Sequence, residues 1–497
     1  MPSFEAAQAA LVSPSRYTCR RSPPSAISVS ASSRLRLSND RIYYFSIYLG
    51  TMVLNQVLSQ VLNAPRQPLP LPDPRVMGVR GMPHVFQLLE YEMNLPGLPD
   101  VRGLNARKLA GLLGYESISE LCDTSGPPLP AREPSWTPEA RERGLVAHGG
   151  HLASGGGALL PAMAQVCAAR GSTLTYHTPP LPPWLTDEPR GHLEAALRTG
   201  GLRLVEHADI RSYHNTRNAV RNAARAEGGH YFVPQGGTWQ QAEPGVAALA
   251  RTVARWWRTR PGGGLDVPAC PPEMHRGLDV VLPAGSGVTA LFLARHVHLT
   301  LTSTDSGIIT ELDGGERRRA DIRVYAVPVD GDAAGLVRRM EALDKNLGGN
   351  GIFPRVLEPP SSHGRKFGRV AAPLLGTWRR AAEAGVLLDL VYGAVAWGAL
   401  EACDWCPAHA DLHIVPGSSD DSQDREVLYI NTGGHEGLEA QLRRYVRAGL
   451  LRKLERSSLF GDHFWYEGQW DVKALVKEVK ALAAQRSGLV HTRDAGL

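Results

Sequence analysis

The chain has 497 residues, a formal net charge of +5 and a hydrophobic share of 43%, a composition that suits an ordinary globular protein with core enough for two or three domains. Its basic residues form no long block, which argues against nucleic acid as the main partner, because binding to a phosphate backbone needs a concentrated basic face. Six cysteines (Cys19, Cys122, Cys167, Cys270, Cys403, Cys406) are too sparse for a disulfide framework and fit a reducing compartment.

Residues 1–41 carry six arginines (Arg16, Arg20, Arg21, Arg34, Arg36, Arg41), only two acids (Glu5, Asp40) and many Ser and Ala. That is the composition of a transit peptide for chloroplast or mitochondrion; a disordered tail shares it. Residues 42–62 hold no charge and are long enough to cross a bilayer. Ser46, Asn55, Gln56, Ser59 and Gln60 lie inside that stretch, however, and polar groups are costly in lipid. No membrane span is expected, and residues 1–62 read together as a presequence, disordered or cleaved. Residues 63–75 are proline-rich and read as an extended linker.

From residue 76 onward, short apolar runs alternate with helical patterns. GLVAHGG (144–150) precedes the helix-like ALLPAMAQVCAARG (158–171) and then STLTYHT (172–178). LDVVLPAGSG (278–287) leads into VTALFLARHVH (288–298), and IRVYAVPVDG (322–331) into AAGLVRRMEAL (333–343). This alternation predicts βαβ units and an α/β fold with mostly parallel sheets covered by helices. Residues 122–143 and 404–425 are polar and read as loop insertions, the second ahead of a strand at VLYIN (427–431). DVKALVKEVKALAA (471–484) has the spacing of a surface helix.

The junction Ala284-Gly285-Ser286-Gly287-Val288-Thr289 carries the clearest chemistry. Small residues there let several backbone N–H groups converge on one anion, the following helix adds its dipole, and the hydroxyls of Ser286 and Thr289 add donors. A phosphate ester suits such a site; an unliganded glycine turn has the same sequence. The third glycine of a dinucleotide fingerprint is missing, and no Lys-Ser/Thr pair follows to make a nucleotide-triphosphate loop.

Several stretches in one order give a resemblance. GLNARKLAGLL (103–113), VAHGGHLASGGGALLPAMAQVCAARG (146–171), GGHYFVPQGGTWQQAEPG (228–245), DVVLPAGSGVTA (279–290), GRKFGRV (364–370), GVLLDLVYGAVAW (385–397) and INTGGHEGL (430–438) are similar to successive motifs of one family. It is the family of 1-aminocyclopropane-1-carboxylate deaminase and D-cysteine desulfhydrase, with a plant-type D-cysteine desulfhydrase look. The resemblance covers residues 75–445. It implies the tryptophan-synthase-β-like, fold-type II architecture: two domains, each a mostly parallel sheet flanked by helices. The larger would comprise 63–143 and 241–445, the smaller 144–240, with a helical extension at 446–497. It further implies pyridoxal 5'-phosphate as cofactor, a small amino acid as substrate and a homodimer. Gly285, Ser286, Gly287, Val288 and Thr289 would hold the phosphate, and Thr432 and Gly433 would flank the cofactor's other side.

The sequence departs from this family where the chemistry sits. The family's cofactor-anchoring lysine falls on Asn105, whose amide is neither nucleophile nor base near neutral pH. Lys108 lies three residues further, about 4.5 Å of helical rise away, and shares that side of a helix. It is the candidate replacement, with a phosphate-contacting or surface lysine as the other reading. The substrate-contacting Gln-Ser pair aligns with Leu152 and Ala153, leaving Ser154 as a substitute hydroxyl. Gly393 stands where the family has Glu or Thr near the pyridine nitrogen, and Leu390 replaces a proline. Tyr392 is kept as a candidate catalytic residue beside the ring, and Asn105 itself as a cofactor neighbour.

Other clusters read more plainly. Cys403, Cys406, His409 and His413 offer soft ligands within eleven residues, but the pairs are too close to wrap one zinc ion, and no metal is expected. His296 and His298 do not share a helix face. Trp256 and Trp257 read as helix packing residues, and Arg317, Arg318 and Arg319 as a solvated loop. Two functions remain open. One is a pyridoxal-phosphate-dependent lyase of the D-cysteine desulfhydrase type. The other is a non-catalytic homologue that binds a phosphate-bearing ligand or a protein partner.

Overall fold

The computed structural model describes residues 74–95, 98–110, 112, 144–226, 231–259, 277–302, 310–311, 317–318, 322–407 and 425–451. The expected presequence, most of the linker, the 122–143 insertion, residues 408–424 of the second insertion, Arg319 and the 471–484 helix lie outside them, as do Cys19, Cys122, Cys270, His409 and His413. No described helix is long and apolar enough to cross a membrane.

The described chain starts with an antiparallel hairpin, β1 (Val76–Val79) and β2 (Met82–Leu88). A second short hairpin, β3 (Asn94–Leu95) and β4 (Leu98–Arg102), leads into helix α1 (Gly103–Ala110). Leu104, Ala106 and Leu109 of α1 face the core, and Arg107 is buried with them. Its guanidinium grips Glu90 with two bonds, Nε to Oε1 at 2.5 Å and Nη2 to Oε2 at 3.2 Å. A paired, forked geometry is what makes a buried arginine tolerable.

Four parallel strands follow: β5 (Leu145–His148), β6 (Leu174–Thr178), β7 (Leu202–Glu206) and β8 (Tyr231–Val233), in spatial order β7-β6-β5-β8. They are connected through α2 (Leu159–Ala169), α3 (Pro183–Thr186), α4 (His192–Arg198) and α5 (Ile210–Ala226). Helix α6 (Glu243–Thr259) then packs on α1 at Gly245, where a Cβ would lie 2.1 Å from the Arg107 carbonyl oxygen. Only glycine allows that approach, and it fixes the height of α1.

The second sheet is completed by β9 (Leu278–Ala284), β12 (Ile322–Pro328), β13 (Arg355–Val356) and β14 (Glu426–Ile430); β10 (Thr310–Glu311) and β11 (Arg317–Arg318) form a separate hairpin. Arg317 and Arg318, expected in a loop, are thus held in a short strand. The six-stranded order is β1-β2-β14-β9-β12-β13, parallel except for β1. Its helices are α7 (Val288–Thr302), α8 (Ala333–Asn346), α9 (Ala372–Glu383), α10 (Gly393–Ala402) and α11 (Leu438–Arg447). Every residue of β9 is buried. Leu278, Val280, Leu282 and Ala284 belong to one core and Val281 to the other, as the two-residue period of a strand covered on both faces requires. The one acid in it, Asp279, is neutralised by Arg425 ahead of β14 (Nε–Oδ1 2.7 Å). Trp257 is buried, Trp256 packs 5.5 Å from the Phe86 ring, and His296 contacts Glu243.

This is the two-sheet, fold-type II arrangement that the resemblance implies. Its topology also says where a ligand belongs. In the small sheet the chain leaves β5 toward β6 and returns on the other side at β8. In the large sheet it leaves β9 toward β12 and returns at β14. Open parallel sheets bind ligands outside the carboxyl ends of such switch strands.

Candidate functional site

Both switch strands, β5 and β9, end in glycine loops, Gly149-Gly150 and Gly285-Ser286-Gly287, and both loops contribute to one cavity of about 560 Å³. Asn105, Lys108, Gly285, Ser286, Gly287, Thr289, Tyr392, Thr432 and Gly433, from distant parts of the sequence, all line it. Two candidates do not. The Val288 side chain is turned into the core, so only its backbone can serve an anion. Ser154 is drawn the other way: its carbonyl accepts from Arg444 Nη1 at 2.8 Å, and its side chain abuts Gly368. Leu152 and Ala153 are absent from the lining too. The loop after β5 therefore presents His151 and Gly157 to the cavity, but not the hydroxyl that sequence alignment places there. Gly393, also behind the wall, gives its N–H to Asp389 (2.9 Å).

The anion cradle is built by strain-free glycine. Gly287 has φ +87°, and a Cβ on it would sit 2.6 Å from Met340 Cγ of α8. Any side chain there would push α8 away and remove the turn that opens the first N–H groups of α7 toward the cavity. Gly236 approaches from the opposite wall, close enough that a Cβ would be 3.2 Å from Ser286 Oγ.

Lys108 reaches this same place. Its ammonium donates to the Gly236 carbonyl at 2.9 Å and has no carboxylate partner among the described residues. Among the described residues it is the one lysine in the lining. Burial pushes its pKa down to about 8, because a charge with no counter-charge is poorly solvated there. The helix explains why Lys108 can do this. Arg107 and Leu109 on either side are locked into the core, and Trp239 Nε1 donates to the Lys108 carbonyl (3.2 Å). Asn105, one turn earlier, uses its amide to bond the Ala158 carbonyl at 2.9 Å, bracing the start of α2.

Tyr392 stands against Gly285 and meets the Phe367 ring edge-on, centroids 5.5 Å apart. Burial, then the nearby Asp389 and Asp330 carboxylates, hold its phenol protonated. Asp389 itself is buried and accepts the N–H groups of Val391, Tyr392 and Gly393 at 2.8–2.9 Å. It thereby sets the turn that presents Tyr392. Its pKa is raised, burial outweighing those bonds. Across the cavity, Thr432 and Gly433 follow β14, and a Cβ on Gly103 would be 3.2 Å from the Thr432 carbonyl.

A feature that motif reading passed over is a stack of histidines at the carboxyl ends of β5, β6 and β7. His148 lies 4.8 Å from His177, and His177 lies 5.3 Å from His207, measured between ring centroids. His177 Nδ1 and His207 Nε2 share a 3.1 Å hydrogen bond. The sequence does carry a signal: VAH, TYH and VEH each close a short strand-like stretch. No group of three or more His, Cys, Asp or Glu among the described residues is placed to hold a metal ion.

No protein-family model matches the chain, and no curated protein sequence does. Solved structures do resemble it. An ACC deaminase homologue shares 15% identity over 79% of this chain and 98% of its own, with a TM-score of 0.50. O-ureido-L-serine synthase (13% identity, 81% and 96% covered, TM-score 0.43) and processed threonine deaminase isoform 2 from Solanum lycopersicum (11%, 85% and 98%, TM-score 0.41) follow at lower similarity. The first of these carries the fold comparison; at such identities the likeness is one of architecture.

Proposed function

We propose that this chain is a pyridoxal 5'-phosphate-dependent lyase acting on a small amino acid, with Lys108 in place of the amine that Asn105 lacks. The observation that carries the reading is the Lys108 ammonium: half-buried, without a counter-anion among the described residues, and sharing one cavity with the Gly285–Thr289 cradle. A phosphate would supply the missing negative charge. The residues present fit the cofactor. The N–H groups around Ser286 and Gly287, with the Thr289 hydroxyl, would hold the phosphate, and Tyr392 and the Thr432–Gly433 turn would flank the ring. When bound, that ring supplies an electron sink for charge developing at the substrate's α-carbon.

The chain's own part is to bind, orient and move a proton. An amine with a pKa of about 8 is neutral in an appreciable fraction near pH 7.5, so Lys108 can act as nucleophile and as base where an exposed lysine cannot. Tyr392, kept protonated, can donate a hydrogen bond but not accept a proton. The resemblance supports D-cysteine as substrate, with β-elimination to pyruvate, ammonia and sulfide.

One observation favours a second reading. Lys108 Nζ is bonded to Gly236, beside Ser286, so its charge stands at the phosphate end of the cavity. A protein that holds the phosphate with Lys108 and performs no turnover would have this arrangement. Purified protein with added pyridoxal phosphate separates the two. An absorbance band near roughly 410–430 nm, the range of a lysine-linked cofactor, that borohydride fixes to the Lys108 peptide supports the lyase. Tight binding with no fixation supports the non-catalytic form, and no binding rejects both.

A further inference from the structure

Three basic side chains line the cavity, Lys108, Arg217 and Arg339. Lys108 belongs to the cradle, and Arg339 is turned onto the Asp330 carbonyl (2.8 Å). Asp330, the one acid in the lining among the described residues, already accepts from the Phe367 N–H at 3.2 Å. Arg217 remains: an exposed residue of α5 that lines the cavity and makes no ion pair or hydrogen bond among the described residues. Beside it is His148, which is 2% exposed, lines the same cavity and, among the described residues, has a hydrogen-bond partner at neither ring nitrogen. A buried imidazole with both nitrogens unmet costs free energy unless something that enters the cavity meets them. His148 is also held in place, stacked on His177 and packed 5.4 Å from the Tyr213 ring. Burial first, then the neighbouring His177, His207 and Arg217, keep it neutral, with a pKa pushed down to about 3. It therefore offers one N–H donor without adding charge.

The wall that could otherwise have met a small anion does not. Leu152, Ala153 and Ser154 are turned out of the cavity, and Arg444 holds the Ser154 carbonyl there.

We propose that Arg217 and His148 form a carboxylate subsite, the guanidinium supplying the charge and the imidazole a directed hydrogen bond, and that this subsite takes the carboxylate of the small amino acid. A guanidinium matches a carboxylate in shape and charge. The assignment of that carboxylate to an amino-acid substrate rests on the function proposed above; the subsite itself rests only on the two side chains.

The test uses the full chain and two probes that differ by the carboxylate, D-alanine and ethylamine, titrated by ligand-observed NMR with and without pyridoxal phosphate. Wild type is expected to bind D-alanine at least ten-fold tighter than ethylamine. Arg217→Met is expected to lose about 10- to 100-fold in D-alanine affinity, the loss of one charge-assisted contact, with ethylamine and pyridoxal-phosphate affinities unchanged. Arg217→Lys recovers part of the loss. His148→Leu lowers D-alanine affinity several-fold in the same selective way. The proposal is overturned if wild type does not distinguish the probes, if Arg217→Met binds D-alanine as wild type does, or if Arg217→Met loses pyridoxal phosphate in parallel and Arg217→Lys restores neither. If wild type takes up no pyridoxal phosphate, the proposed function fails, while the comparison of D-alanine with ethylamine still decides the subsite.

Discussion

Replacing Lys108 with methionine is expected to stabilise the unliganded protein while weakening its hold on phosphate. The lysine pKa falls from 10.5 to about 8 on folding, which corresponds to about 3 kcal/mol at roughly 1.4 kcal/mol per pH unit. Part of the side chain reaches solvent, so about 2–3 kcal/mol is the working figure. Methionine fills similar volume without the charge and forfeits the bond to Gly236, worth about 1 kcal/mol. The net gain at pH 7 is about 1–2 kcal/mol. Its pH dependence follows from linkage. Below pH 8 the amine is protonated in both states, and the full penalty is present. Between pH 8 and 10.5 the unfolded chain binds the extra proton, so wild-type stability rises with pH. Above 10.5 the penalty is gone. Urea unfolding of both proteins at pH 7 and pH 10, followed by tryptophan fluorescence, should show the variant ahead at pH 7 and level or behind at pH 10. A variant that is weaker at pH 7, with a pH profile parallel to wild type, would refute the picture of an uncompensated buried ammonium. In a pyridoxal-phosphate titration the same variant should bind about 10- to 100-fold less tightly.

Asn105→Lys places an amine back at the position one turn earlier; borohydride should then fix pyridoxal phosphate to residue 105, read by peptide mass, and fixation only at Lys108 counts against the alignment of that helix. Gly287→Ala drives a methyl toward Met340 and forbids the positive φ; at least a ten-fold loss of pyridoxal-phosphate affinity is expected by titration, and an unchanged value removes the cradle from the site. Glu90→Gln strands the Arg107 charge in the core, so urea unfolding should show a loss of about 3–5 kcal/mol; a loss under 1 kcal/mol means that water reaches the pair.

The local parts of this site were legible in the sequence and the long-range parts were not. The cradle at 285–289 was readable because a strand, small residues and a helix are contiguous there, so no distant partner is needed to form it. Lys108 was readable as a neighbour of Asn105 because helical spacing alone places it one turn on. Ser154 was not, since its direction is set by Arg444, 290 residues away, and by Gly368. The histidine stack fails to announce itself for a related reason. Each histidine stands at or within one residue of the end of its own strand, but their contact depends on β5, β6 and β7 lying side by side, and spatial order is a property of the sheet. Val288 shows the limit of a motif from the other side: its backbone belongs to the loop while its side chain serves the core.

Helix α11 bonds to both lips of the cavity at one end. Gln441 donates to the Gly155 carbonyl (3.1 Å) and accepts the Leu390 N–H (2.8 Å), and Arg444 donates to the carbonyls of Ser154 and Gly368 (2.8 and 2.6 Å). Two side chains thus rivet the loop after β5 to segments leading into the walls that carry Phe367 and Tyr392. Breathing of the cleft will pivot about this seam rather than split it, since parting it would break all four bonds at once.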